Sequence, residues 1–321
     1  MIRQLYHYCS NKKAIAILSG RSIRMSDIQK SNDYKELSLF FPMIFDCLEH
    51  LYAKKPFYFR YANETGRNAF YDFLDLSYRC WKDRFSSGDF SNLVLCLSED
   101  GDSLSQWRGY ADNGQGCCIG FSQNQLEKYC DNSKGVLRLE KVTYLVEEGI
   151  YKVIKDESSD IFHSLEGLRK WIVEEMTHND DDPDTDGLLE FNFDGMLRHA
   201  FTNSLKYKSY AFHEEKEWRM FLSNQAYKNP DWLCGKTKKQ LTGPSGFSET
   251  IDFLRNKINF HATDDDLIPY YPINFVEFSR NPVASVCFGP KNKVRFADME
   301  LFLRQNQYEK TTDESSKITY H

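Results

Sequence analysis

The segment Lys208–Leu222, KSYAFHEEKEWRMFL, gathers ionisable groups and an apolar stripe on one short stretch of chain. Read as a strand, it turns Glu215, Glu217, Arg219 and Phe221 to one face and Lys216, Trp218, Met220 and Leu222 to the other. Same-face neighbours on a strand stand roughly 7 Å apart, so two carboxylates and a guanidinium would line one edge. The opposite face is apolar enough to anchor them. Read as a helix, the segment stacks Ala211, Glu214 or Glu215, Trp218 and Leu222 and scatters the charges. The strand reading is preferred.

Two further clusters carry chemistry. In VLCLSEDGDSLSQWRGYADNGQGCCIGF, a strand ends in Ser98 and is followed by Trp107, Arg108 and Tyr110. Arginine offers a planar fork that suits phosphate oxygens, and tryptophan and tyrosine offer faces on which a ring can stack. The competing reading makes Trp107 and Tyr110 the buried stripe of a short helix. His7, flanked by Tyr6 and Tyr8, is the third candidate; its plain alternative is a satisfied, half-buried histidine.

The elements that must position these groups are short. Gln4–Cys9 reads as a strand, Lys12–Leu18 as a helix capped by Ser10 or Asn11 and closed by Gly20, and Ser22–Met25 as extended. Leu93–Leu97, Cys117–Phe121, Gly135–Leu145, Asn274–Phe278 and Val283–Phe288 read as strands, with a last helix around Val294–Arg304. Helical patterns over 36–86 and 158–206 form insertions. The pattern predicts one α+β domain over residues 1–305 with these insertions, and a disordered tail over 306–321.

The opening LYHY with the later SNDYKE, the central LSEDGDSLSQWRGYADNGQGCCIGF and the segment EEKEWRMF together resemble a large bacterial family known as domain of unknown function 2971. The opening also resembles that of ADP-ribosyltransferases, and Glu215-Lys216-Glu217 resembles the E-x-E catalytic strand of their arginine-type members. What this implies is a fold of small mixed or antiparallel split sheets around a cleft. It implies an NAD-consuming transferase, or the related NAD glycohydrolase, acting as a bacterial toxin or anti-phage effector. Glu217 would stabilise the oxocarbenium-like transition state and Glu215 would orient the acceptor. His7 with Tyr8 would hold the ribose, Arg108 the pyrophosphate, and Trp107 or Tyr110 a ring, with Ser98 and Arg219 completing the NAD site. The family's Ser-Thr-Ser strand is reduced here to Ser98, and His7 stands where the arginine-type class has an arginine.

Other chemistries fit less well. Glu214-Glu215-Lys216, with Asp33 or Asp100, supplies the acids and lysine of a PD-(D/E)xK-like nuclease that would bind Mg²⁺. The formal net charge of −6 argues against a groove that tracks phosphates, so nucleic acid is expected only as an acceptor. A non-enzymatic binding or regulatory module would make Glu215, Glu217 and Arg219 a surface ion-pair ladder of little worth. The nine cysteines show no CxxC pair, and no His pair has zinc spacing, so no metal is expected. Cys9, Cys96, Cys117, Cys118 and Cys287 sit in apolar, strand-like runs and read as small core hydrophobes in a reducing compartment. With no signal-peptide pattern and no run near 20 apolar residues, a cytoplasmic protein without a membrane partner is expected.

Overall fold

The computed structural model describes residues 3–28, 93–133, 136–146, 205–222, 258–263, 266–309 and 311–320. The chain divides into two compact units. One holds Met1–Asp27, Leu93–Val142 and Ala211–His321; the other holds Ile28–Asn92 and Thr143–Tyr210. The segments 36–86 and 158–206, expected to be helical insertions, lie outside the described residues.

The first unit is built on a mixed sheet, and the α+β class expected from the sequence is what forms. Its strands are β1 (Gln4–Cys9), β2 (Ser22–Asp27), β3 (Leu93–Ser98), β4 (Cys117–Ser122), β5 (Leu137–Lys141), β8 (Glu217–Leu222), β9 (Asn259–Ala262), β10 (Leu267–Asn274), β11 (Val283–Phe288) and β12 (Thr312–Ser315). They run in the order β12-β11-β4-β1-β3-β2-β10-β9, with β8 also on β3 and β5 on β8. All pairs are antiparallel except β11 with β12. In the second unit, β6 (Thr143–Leu145) pairs with β7 (Tyr207–Ser209).

β4 explains the centre of the sheet. Its residues from Cys117 to Phe121 are all buried, so both faces of the strand are covered, as a continuous apolar run requires. Among the described residues four α-helices accompany the sheet: α1 (Asn11–Gly20), α2 (Leu104–Gly109), α3 (Gln123–Asn132) and α4 (Phe296–Gln305). Ser10 caps α1 by accepting from Lys13 N at 3.3 Å. Gly20 was expected just beyond the helix end, but it is the last helical residue and Arg21 takes the left-handed position at φ 46°. Met299 and Leu303 bury one face of α4, and Leu126, Tyr129 and Cys130 one face of α3. None of the described helices is long and apolar enough to cross a membrane.

β3 is where the sheet branches. One of its edges carries β8 from Val94 to Ser98. The other is shared: Ser98 pairs with Tyr6 of β1, and Leu93 and Val94 pair with Asp27 and Ser26 of β2. Between them the two strands part, and His7 Nδ1 reaches the Cys96 carbonyl at 3.3 Å. A carbonyl left open by the parting strands thus gains a donor from a side chain.

Two expectations are corrected. Residues 274–278 do not form a strand: Asn274 ends β10, and Phe275–Glu277 is a 3₁₀ turn. The tail is ordered rather than frayed: β12 lies parallel to β11, and the Asp102 carboxylate accepts from Ser316 Oγ and Lys317 N. A polar edge strand needs only backbone pairing and one anchor, which hydropathy does not reveal.

Gly116 sits where the chain turns into β4. A Cβ there would collide with the backbone oxygens of Cys9 and Ala111, which cannot rotate away. At Gly109, on the end of α2, a Cβ would meet nothing within 4 Å. Gly116→Ala is therefore expected to lower the melting temperature sharply, while Gly109→Ala leaves it unchanged or raises it. Thermal unfolding followed by circular dichroism compares the two directly.

Candidate functional site

β8 begins at Glu217, not at Glu215. Tyr210–Glu215 forms a 3₁₀ helix, and Lys216 turns the chain at φ 45° before the strand starts. Glu215 and Glu217 therefore do not share a strand face, and the E-x-E arrangement expected from their spacing is not formed. The E-x-K strand of a metal-dependent nuclease is not formed either. A non-glycine residue at positive φ is strained, and here the surroundings hold it. Glu99 N donates to Lys216 O at 3.0 Å, and Lys216 Nζ donates to Asp100 Oδ2 at 2.9 Å.

Along β8, the expected alternation holds, but the charged face is buried along with the apolar one. Glu217 and Arg219 are 5 % and 1 % exposed, whereas Trp218 on the other face is only half-buried and donates Nε1–H to Glu99 Oε1 at 2.9 Å. The reason is pairing. Arg219 Nε donates to Glu217 Oε1 at 2.8 Å and its Nη2 donates to Oε2 at 3.1 Å. A bidentate bond of this kind satisfies both charges and lets them leave water together.

Register carries this face across the sheet. Ser98 of β3 is the direct neighbour of Glu217 on one side and of Tyr6 on the other. Paired residues of antiparallel strands share a face, so Tyr6, Ser98 and Glu217 form one row. Cys96 lies opposite Arg219 on the same face and is exposed. Ser98 Oγ donates to the Glu215 carbonyl at 2.7 Å and accepts from Asp100 N at 3.1 Å. That hydroxyl ties the turn leading into β8 to the turn that follows β3. Tyr110 OH donates to Glu215 Oε1 at 3.1 Å. Tyr6 lies against Gly101, where a Cβ would come within 2.6 Å of its ring, and burial raises its phenol above the ordinary value.

The remaining candidates separate from this row. His7 follows Tyr6 on β1, so alternation turns it to the opposite face, in register with the core residue Ile119. Tyr8 has its hydroxyl engaged by Asp100 O at 2.7 Å and Ser103 N at 2.9 Å. Trp107 is fully buried, donates Nε1–H to Asp102 Oδ1 at 2.8 Å and meets Tyr8 edge-on at 4.7 Å. It is core, not a stacking platform. Arg108 is exposed, with its guanidinium 6.0 Å from the Tyr320 ring. Tyr6, one of the two tyrosines beside His7, and Asp102, which has no expected role, matter here. Tyr6 joins the row through β1 pairing, and Asp102 anchors both Trp107 and the C-terminal segment. Among the described residues no group of three His, Cys, Asp or Glu side chains could hold a metal ion.

Desolvation lowers the His7 imidazole to about 4, against a weaker opposing effect of the Cys96 carbonyl. The folded protein therefore keeps this ring neutral where the unfolded chain would take up a proton. The stability this contributes is complete above the ordinary histidine value near 6.5 and is lost as pH falls through about 4. The melting-temperature advantage of wild type over His7→Gln is expected to shrink between pH 7 and pH 4.5. An advantage that stays constant over that range would contradict the burial of a neutral ring.

Over residues 106–220, a little more than a third of the chain, the sequence matches the family model described as protein of unknown function (DUF2971). No curated protein and no solved structure matches the chain.

Proposed function

We propose that this protein breaks the N-glycosidic bond of NAD, transferring ADP-ribose to an acceptor or to water, with Glu217 as the catalytic carboxylate. The observation that supports this reading is the row of Tyr6, Ser98 and Glu217, in register across three neighbouring strands and ending on a carboxylate whose orientation Arg219 fixes. Cleavage of this bond develops positive charge on the ribose. An anion already held in place stabilises that charge without reorganising as it forms. Solvent reaches the same face at Cys96, the register neighbour of Arg219.

On this reading Ser98 is a positioning residue, because it ties the turn before the carboxylate to the turn that follows β3 without meeting substrate. Tyr6 supplies the aromatic surface beside the row. Arg108, exposed two residues before the tyrosine that bonds Glu215, supplies charge for the pyrophosphate. His7, Tyr8 and Trp107 act through the scaffold instead. Glu215 contributes its backbone carbonyl and its bond to Tyr110 rather than a second carboxylate on the strand.

The test is nicotinamide release from NAD by purified wild type and Glu217→Gln, with and without a cell extract supplying acceptors. Both proteins must first be shown folded at the assay temperature, because the substitution leaves a buried guanidinium facing a neutral amide. Release by wild type and a loss of about 10²-fold or more in the variant is expected. Equal release by the two would contradict the role of Glu217. No release from wild type, with NAD failing to raise its melting temperature, would overturn the reading.

A further inference from the structure

Consecutive cysteines on β4 point to opposite faces, and each meets a thiol on a neighbouring strand. Cys117 stands directly opposite Cys9 of β1, and Cys118 directly opposite Cys287 of β11. All four are free thiols, and in the reduced pair Cys118 Sγ donates to Gly101 O at 3.3 Å and Cys287 Sγ to Phe288 O at 3.8 Å. Directly opposed residues of antiparallel strands hold their Cβ atoms about 4.5–5.5 Å apart. A disulfide needs about 3.5–4.5 Å, so either pair could close with an inward shift of about 1 Å. A bond made under such strain is readily reduced again, as labile disulfides are and structural ones are not.

The pairs differ in access. Cys9 and Cys117 are 1 % and 0 % exposed, whereas Cys287 is 9 % exposed and lies on the last strand before the edge strand β12. The Cys118–Cys287 pair belongs to a cluster with Tyr8, Trp107 and Ala111, against which Ile318 packs. Ile318 belongs to the segment that follows β12, whose first residue, Ser316, still extends the sheet by donating its N–H to Phe288 O at 2.8 Å. Ser316 and Lys317 bond the Asp102 carboxylate, and Tyr320 OH donates to Asn113 Oδ1 at 2.8 Å with Lys291 Nζ 3.9 Å from its ring. Beyond Ser316 every one of these contacts involves a side chain, so they can part without breaking the sheet.

We propose that Cys118 and Cys287 form a redox-sensitive dithiol, which closes to a cross-strand disulfide when the segment from Lys317 to Tyr320 lifts from the cluster. A peroxide is the oxidant. The Cys287 sulfur attacks one peroxide oxygen, the O–O bond breaks, and the leaving hydroxide is protonated to water. The Cys118 sulfur then displaces a second water from the resulting sulfenic acid. Two thiols lose two electrons and two protons, and hydrogen peroxide leaves as two waters. With the segment seated, burial pushes the Cys118 thiol well up and keeps it inert, so the pair stays reduced.

The experiment treats the full chain with hydrogen peroxide, quenches in acid, alkylates in denaturant and maps cysteine peptides by mass spectrometry. A linked Cys118–Cys287 peptide that dithiothreitol reverses is expected, with Cys9 and Cys117 still alkylated. Ile318→Asp should speed the linkage several-fold, and Cys287→Ser should abolish it. If Cys118 and Cys287 are both alkylated after exposed Cys96 has oxidised, the proposal fails. It also fails if Cys9–Cys117 links as fast, or if Ile318→Asp leaves the rate unchanged. The mapping uses no NAD, so its outcome is independent of the function proposed above.

Discussion

The bidentate bond between Arg219 and Glu217 is the interaction on which the site depends. Neither charge could be taken out of water alone, and an isolated buried carboxylate or guanidinium costs several kcal/mol. Together, two residues apart on one face of β8, they neutralise each other and fix each other's orientation. The rest of the arrangement serves to keep that pair in place. β3 and β5 flank β8 on its two edges, and Val142 N donates to the Glu217 carbonyl at 2.9 Å. Lys216, strained at positive φ, turns the chain so that the strand starts at the carboxylate itself.

The second constraint is the double duty of β3. A strand with β8 on one edge, and β1 and β2 sharing the other, gives the sheet a fork. The residues at the fork sort by alternation. Tyr6 and Ser98 fall on the face of Glu217, and His7 falls on the other, where it fills the gap between the parting strands. A histidine that reads as a ligand in sequence is thereby a structural donor, kept neutral by desolvation. Tyr6, one residue earlier, takes the place beside the site.

What could be read in the sequence was what depends on local pattern. The apolar runs Leu93–Leu97, Cys117–Phe121 and Val283–Phe288 are strands because short, doubly covered strands need such runs. α4 follows from its periodicity. What could not be read depends on tertiary pairing. The charged face of β8 looked solvated or cleft-lining, and it is buried because its charges find each other. Glu215 looked like part of the strand, and a single left-handed residue removes it. β10 contains Pro269 and Pro272, which cannot donate to a ladder and so disguise a strand. Trp107 looked like a stacking surface and is core, because Asp102, five residues earlier, satisfies its N–H inside the protein.

Glu217 and Arg219 form a buried, mutually dependent pair. A double-mutant cycle on stability, using Glu217→Gln, Arg219→Met and the double variant in urea unfolding, tests it most directly. Each single variant is expected to lose about 3–5 kcal/mol, and the double variant much less than their sum, because removing both charges leaves neither stranded. Single losses of about 1 kcal/mol or less that simply add would be the behaviour of an exposed pair, and would contradict the buried pair on which the site is built.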